Sequence, residues 1–417
     1  MSLIRPFAGL RPGPSFAAAV VAPPYDVLSS AEARALAADK PWSFLHISRP
    51  EIDLAPSVSP YDASVYAKGA ENFRRMLDAG VLRRDSTACY YLYRLTMGTH
   101  TQTGVVLAAS IAAYEEGRIR RHEFTRPDKE DDRVRQIDAL NAQTGPVFLT
   151  YRQETTVAEI VARATAQASS VDVTMASAGS GIEVRHRLWA VADAAHIDAL
   201  TRAFDAMPRL YIADGHHRSA AAARVAKLRR EKNRAHTGSE PYNYFLAVAF
   251  PDTEMQILEY NRLIKDLNSH SAPELMQKLG QKFSIEGSAT PVKPAQAGEF
   301  GLYVAGRWAR LRIRPELVPD DPVRRLDASL LQEHVIAPLF GVSDPRRDQR
   351  IDFVGGIRGV GDLMRRVDSG DWAVALTLHP TPLSALMAVA DAGEVMPPKS
   401  TWFEPKLADG LVSHSLD

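Results

Sequence analysis

Asp214-Gly215-His216-His217-Arg218 stands between a short apolar segment, Arg209-Leu210-Tyr211-Ile212-Ala213, and an alanine-rich run that opens at Ser219. A strand that turns through Asp-Gly straight into a helix leaves the first helical amides without intrahelical acceptors, and the helix dipole adds to their pull on an anion. Gly215 permits a positive φ and a close backbone approach to phosphate. Arg218 offers a planar fork matched to phosphate oxygens. His216, His217 and Ser219 add further donors, although adjacent helical side chains diverge by about 100° and cannot face one ligand equally. Architecture alone would use the same residues differently, with Asp214 as a helix cap, Arg218 paired to a surface carboxylate and the histidines packed.

A second cluster, His122-Glu123-Phe124-Thr125 with Lys129, Asp131, Asp132 and Arg133, gathers acid–base groups between a predicted strand and a predicted helix. Phosphoryl transfer to a hydroxyl asks for cations on the phosphates and a carboxylate to take the hydroxyl proton. Glu123 is the first candidate base and Asp132 the second. His122, Lys129 and Arg133 are candidates for neutralising phosphate, with Thr125 beside them at the substrate. A solvated, salt-bridged helix start explains the same charges without chemistry. In Pro23-Pro24-Tyr25-Asp26 the prolines could fix Tyr25 and Asp26 at a pocket edge for a substrate amine or magnesium, or simply make a rigid turn.

Other motifs fall away on inspection. Lys399-Ser400-Thr401 resembles the end of a phosphate loop, but Met396-Pro397-Pro398 precedes it where glycines belong. Lys399 stays a candidate anion ligand from a second domain. Gly355-Gly356-Ile357-Arg358-Gly359-Val360-Gly361 lacks dinucleotide spacing and reads as a tight strand-to-helix connection. No cluster has metal-ligand spacing, since His122-Glu123 has no second histidine in register. The basic helix Arg224–Lys232 reads as a solvated face whose cations suit a helix C-terminus.

These residues need elements to hold them. Pro23, Pro24 and neighbouring prolines make the opening residues extended; a helix is predicted over 61–79 and a hairpin over 88–97 and 103–115. A helix from Asp131 to Ala142, a buried strand over 146–151, a helix over 156–168, strands over 171–173 and 182–191 and a helix over 194–206 lead to the Asp-Gly box. Tyr244–Phe250 reads as another buried strand. The polar stretch Asn268-Ser269-His270-Ser271-Ala272-Pro273 is the predicted boundary. Beyond it, helices over 274–280, 326–337, 360–367 and 381–391 alternate with strands over 300–314, 351–354 and 372–378. The expectation is an α+β chain with a nucleotide-binding unit over 1–267 and a smaller α/β domain over 268–417.

With 417 residues, two domains are the default. Fifty Lys and Arg balance fifty Asp and Glu, which argues against nucleic acid and for a small-molecule partner. Cys89 is the single cysteine, so disulfides and cysteine-based zinc sites are excluded. Met1-Ser2-Leu3-Ile4-Arg5-Pro6 interrupts any apolar leader, and no stretch approaches a membrane span. A cytoplasmic location is expected.

Several stretches together resemble the bacterial family called domain of unknown function 1015. They are Val21–Val27, His122–Thr125, Lys129–Arg133, His186-Arg187-Leu188-Trp189 and Ala392–Phe403, and the resemblance runs from about Ile4 to Leu416. The box Ile212–Ala220 is also similar to the Gly-x-His-Arg phosphate box of the ParB/sulfiredoxin fold and to that of free serine kinases. This resemblance implies a ParB/sulfiredoxin-like mixed α/β N-terminal unit that binds ATP or ADP, with Mg2+, and transfers phosphate to a small hydroxylated metabolite, free serine first. The alternative it implies is a ParB-like nucleotide switch or DNA-associated module without kinase activity. On the sequence alone, Arg218→Ala is expected to weaken nucleotide binding and leave the fold intact.

Overall fold

The computed structural model describes residues 2–177 and 180–417, which form two compact units, Met1–Met255 with Pro405–Asp417, and Gln256–Glu404. The division falls before the predicted boundary. Asn268–Pro273 lies inside the second unit, as the loop between a strand, Tyr260–Ile264, and a helix, Ala272–Leu279. Ser271 and Glu274 form a capping box at that helix, so the polar residues serve a helix start rather than a linker. The C-terminal residues rejoin the first unit: His414–Ser415 pairs with Ala142–Gln143, and Leu10 and Ser413 exchange backbone hydrogen bonds.

Among its described residues the first unit carries a nine-stranded sheet. Its strands are β1 (Ile4–Arg5), β2 (Tyr90–Met97), β3 (His100–Ser110), β4 (Ile119–Arg120), β5 (Val147–Tyr151), β6 (Val171–Ala176), β7 (Glu183–Val191), β8 (Leu210–Asp214) and β9 (Tyr244–Pro251). The order is β4-β8-β5-β9-β3-β2-β7-β6, with β1 also on β3. Most neighbours are antiparallel, but β4 runs parallel to β8 and β5 parallel to β9. Hairpin strands β2 and β3 are buried on both faces over most of their length, which explains the apolar runs Tyr90–Tyr93 and Val105–Ala109 within them. Helices α1 (Ala63–Asp78), α2 (Pro127–Leu140), α3 (Thr155–Thr165), α4 (Ala194–Ala206) and α5 (His216–Lys232) complete the unit's main elements. Pro127 opens α2 because its missing N–H and fixed φ suit a first turn. One apolar core joins Leu92, Leu107, Leu149, Ile212 and Phe245 of the sheet to Ala222 and Val225 of α5.

The second unit has a six-stranded sheet of β10 (Tyr260–Ile264), β11 (Phe283–Ser288), β12 (Glu299–Val304), β13 (Arg307–Ile313), β14 (Ile351–Gly355) and β15 (Val374–Leu378), in the order β11-β13-β12-β15-β10-β14 among the described residues. The predicted helix over 326–337 is Asp327–Leu331, continued by a π-helical turn, Gln332–Ile336, and by Ala337–Phe340. Pro338 supplies the cause, since it lacks an N–H and its ring crowds the preceding turn. Among the described residues no helix is long and apolar enough to cross a membrane.

Candidate functional site

Parallel pairing of β4 with β8 sets Leu210 against Ile119 and Tyr211 against Arg120. Both strands therefore end at the same edge of the sheet, and the chain leaves β4 into residues 121–126 where it leaves β8 into Gly215. That topology brings together two motifs about 90 residues apart in sequence. A bulge between Ile212 and Asp214, opposite β5, re-aims the end of β8. Gly215 then takes φ 99°, the left-handed region, and opens α5 without any side-chain cap. A Cβ at this position would meet Arg218 Nε at 3.0 Å. Glycine is thus required by both conformation and space.

The two histidines fasten the 121–126 segment to this helix start. His122 N–H donates to His216 Nε2 at 3.4 Å, and Arg126 N–H donates to His217 Nε2 at 3.0 Å. With Nε2 accepting in each ring, the network assigns the proton of the neutral imidazole to Nδ1. His216 Nδ1 then faces Glu123 Oε2 at 3.7 Å. Rings of His122 and His216 meet edge-on with centroids 4.5 Å apart. Burial pushes His122 down to about 4 and His216 well below its usual range, the latter helped by its histidine neighbour, so both are neutral at pH 7. His217, half-buried, keeps its Nδ1–H at the helix start. Phe124, 75% exposed, protrudes between Glu123 and Thr125.

Behind the turn lies a compensated set of charges, partly to fully buried. Arg218 donates to the Pro146 carbonyl and stands 3.7 Å from Asp214 Oδ2. Lys406 Nζ reaches the same Asp214 oxygen at 3.2 Å. Burial alone would raise the Asp214 carboxyl, but Lys406 and Arg218 hold it well below the usual carboxylate range. Burial likewise disfavours the Arg218 cation, and Asp214 and Asp26 more than restore it. Arg133 stacks 3.9 Å over the Tyr25 ring and donates twice to Asp132 Oδ2, at 2.6 and 2.9 Å. Asp409, 2% exposed, has an Oδ1 without a hydrogen-bond partner, and burial pushes it up to about 7 against the pull of Arg218 and Arg133. Tyr25, Arg133, Arg218, Asp409 and Gly145 line a cavity of about 30 Å³, room for roughly one water.

The predicted residues therefore separate into groups. Glu123, His122, Gly215, His216 and His217 come together at the helix start. Asp214, Arg218, Arg133, Tyr25 and Asp26 belong to the charge set behind it. Asp132, the second candidate base, is buried and accepts from Tyr66 as well as Arg133; its geometry holds Arg133 in place instead of presenting a free carboxylate. Ser219 is fully buried, with its hydroxyl on the His216 carbonyl and its amide on the Gly215 carbonyl, so it caps the turn internally. Thr125 bonds Glu130, and Lys129 bonds the Tyr61 hydroxyl at 2.7 Å, both at the start of α2. Lys399 lies in the second unit, with its ammonium 5.6 Å from the Tyr260 ring centroid. Arg218 holds the Pro146 carbonyl and shares Asp214 with Lys406, so its removal is expected to cost stability, where the sequence alone expects the fold to be left intact.

Lys406 and Asp409 were not legible as site residues. Nothing in Glu404-Pro405-Lys406-Leu407-Ala408-Asp409 marks it as a return to the first unit, although Gly410, at φ 88° against the Phe44 ring, marks a tight approach. Among the described residues no group of three or more His, Cys, Asp and Glu could hold a metal ion.

The chain belongs to the family described as a protein of unknown function (DUF1015), whose model matches residues 4–329. No curated protein matches it significantly. Among solved structures, a conserved hypothetical protein from Pyrococcus furiosus is similar at 12% identity, covering 74% of this chain and 94% of that one, with a TM-score of 0.35. A free serine kinase in complex with AMP is similar at 11% identity over 72% of this chain and 86% of that one, with a TM-score of 0.34. SbnI with a C-terminal truncation, from Staphylococcus aureus, gives 11%, 72%, 82% and 0.37 in the same order. All three likenesses are distant.

Proposed function

We propose that the first unit binds the phosphates of a nucleotide at the start of α5 and transfers a phosphoryl group to a small hydroxylated metabolite. One observation carries this reading: Glu123 faces His216 at 3.7 Å, beside an uncapped helix N-terminus opened by a left-handed glycine. Amides of the first turn and His217 Nδ1–H supply phosphate donors. Glu123, with 49% of its side chain exposed, can reach an acceptor hydroxyl while His216 Nδ1–H orients it. In the transfer, the acceptor oxygen attacks the terminal phosphorus, the bond to the leaving nucleotide oxygen breaks, and the hydroxyl proton passes to Glu123.

The sequence resemblance of the box to ParB/sulfiredoxin proteins and free serine kinases makes ATP or ADP the first nucleotides to try and serine the first acceptor. Mg2+ would arrive on the nucleotide phosphates. Asp26, exposed and within electrostatic reach of Arg218, is the carboxylate suited to meet it. Phe124, exposed next to Glu123 in the chain, offers an aromatic face on which a nucleobase could stack.

The test is nucleotide consumption with serine and other small hydroxyl compounds. Glu123→Gln is expected to lower turnover about 10²–10⁴-fold with nucleotide affinity nearly unchanged. Normal turnover in that variant removes Glu123 as the base. Tight nucleotide binding with no acceptor-dependent turnover replaces the transferase by a nucleotide-binding switch.

A further inference from the structure

The second unit contains a buried cation that pairs with no carboxylate among the described residues. Arg262, on β10, an interior strand beside the edge strand β14, is 3% exposed. Its Nη1 donates to the Tyr260 carbonyl and its Nη2 to the Lys399 carbonyl at 3.0 Å. These neutral acceptors take two of its five N–H donors. The guanidinium also lies 4.7 Å from the centroid of the Phe353 ring. No ion pair involves Arg262 among the described residues, and burial pushes its pKa down to about 10. A charge in this position is costly without a counter-ion.

Arg262 lines a cavity of about 300 Å³, the lower end of the range for small-molecule sites. Phe353, Ile336, Ala328 and Pro398 supply much of its apolar wall. The π turn Gln332–Ile336 contributes two lining residues, one of them Gln332; such turns recur at functional sites. Two further charges reach the lining, Asp344 and Arg346, and they pair with each other at 2.9 Å, so Arg262 keeps the excess charge. Most of the wall comes from residues 332–398, past residue 329 where the family match ends.

We infer that this cavity is a binding site for a small organic anion, its carboxylate or phosphate set against Arg262 and its apolar body against Phe353, Ile336 and Pro398. The guanidinium fork supplies directional donors, the ring fixes its plane, and the apolar wall selects against a bare inorganic ion. The site stands apart from the nucleotide reading of the first unit and does not depend on it.

The experiment uses the full chain with benzoate, phenyl phosphate and, as a neutral comparator, benzyl alcohol, followed by calorimetry and ligand-observed NMR. Wild type is expected to bind one or both anions and not the alcohol; which anion binds more tightly distinguishes a carboxylate from a phosphate ligand. Arg262→Met should weaken binding at least about tenfold, the loss expected of a charge-assisted hydrogen bond. Ala328→Leu keeps Arg262 and fills the cavity, so it should weaken binding similarly, and it decides the matter if Arg262→Met does not fold. Failure of both anions to bind wild type overturns the proposal. So does unchanged affinity in Ala328→Leu, which would place the anion elsewhere, including the first unit.

Discussion

Arg218 and Arg262 are both buried arginines, and their surroundings treat the charge in opposite ways. Around Arg218 the protein supplies Asp214, with Asp26 and Asp409 in electrostatic reach, and the net effect raises its pKa. Around Arg262 it supplies two carbonyls and an aromatic face, and burial wins. The first arginine is an internal strut, so in the proposed nucleotide site the recognition is assigned to groups beside it: the first-turn amides, His217 and Glu123. The second is left to find its counter-charge outside the protein. Burial alone does not say whether a cation is structural or functional; the inventory of nearby carboxylates does.

Removing each cation in turn would break or sharpen this contrast. Arg218→Met strips the more distant of two cations from Asp214 and the donor from the Pro146 carbonyl, so it should cost about 2–3 kcal/mol of stability, the scale of a charge-assisted hydrogen bond whose acceptor is left unsatisfied. Chemical denaturation measures this, and a loss under about 1 kcal/mol would mean that the carboxylates do not depend on Arg218.

A pH profile tests the same charge set from the acid side. Asp409 is raised to about 7 by burial, above its unfolded value of about 3.9. Between those values the native state binds more protons than the unfolded state. The stabilisation is complete below about pH 4 and is lost as pH rises through about 7. Wild type compared with Asp409→Asn should therefore lose stability across this window, with a slope approaching about 1.4 kcal/mol per pH unit. A difference between the two proteins that does not vary with pH would show that Asp409 stays ionised between the arginines.

The smallest effect is expected at Arg262. Arg262→Met leaves two carbonyls without a donor but removes an uncompensated buried charge, and an apolar replacement of a buried ion is often neutral. Its melting should show a loss no larger than about 1 kcal/mol, below that of Arg218→Met. Equal losses would erase the distinction between the two arginines.

The helix start at Gly215 was legible because Asp-Gly between an apolar segment and an alanine-rich run leaves the backbone few choices. Helix 194–206 was readable from its periodicity to the residue. The meeting of Glu123 with His216 was not, because it depends on pairing β4 with β8, a non-local register that no local pattern encodes. Strand β10 escaped notice for a different reason. All five of its residues are buried, yet Asn261 and Arg262 interrupt its apolar run, and only the fold reveals that Asn261 accepts from Leu378 N–H at 3.2 Å. Asp132 and Arg133 misled in the reverse sense: they look like a solvated charge run and are an internal pair. The return of residues 405–417 to the first unit, which brings Lys406 and Asp409 to the box, leaves no periodic trace at all.

Amide NMR of the isotope-labelled full chain, titrated with ATP and Mg2+, tests the central claim without any mutation. Binding at the start of α5 predicts saturable shifts concentrated at the amides of Gly215, His216, His217 and Arg218, reproduced by ADP and much weaker with adenosine, which lacks the phosphates. Saturable nucleotide binding that leaves those amides unmoved, or no binding at all, would contradict it.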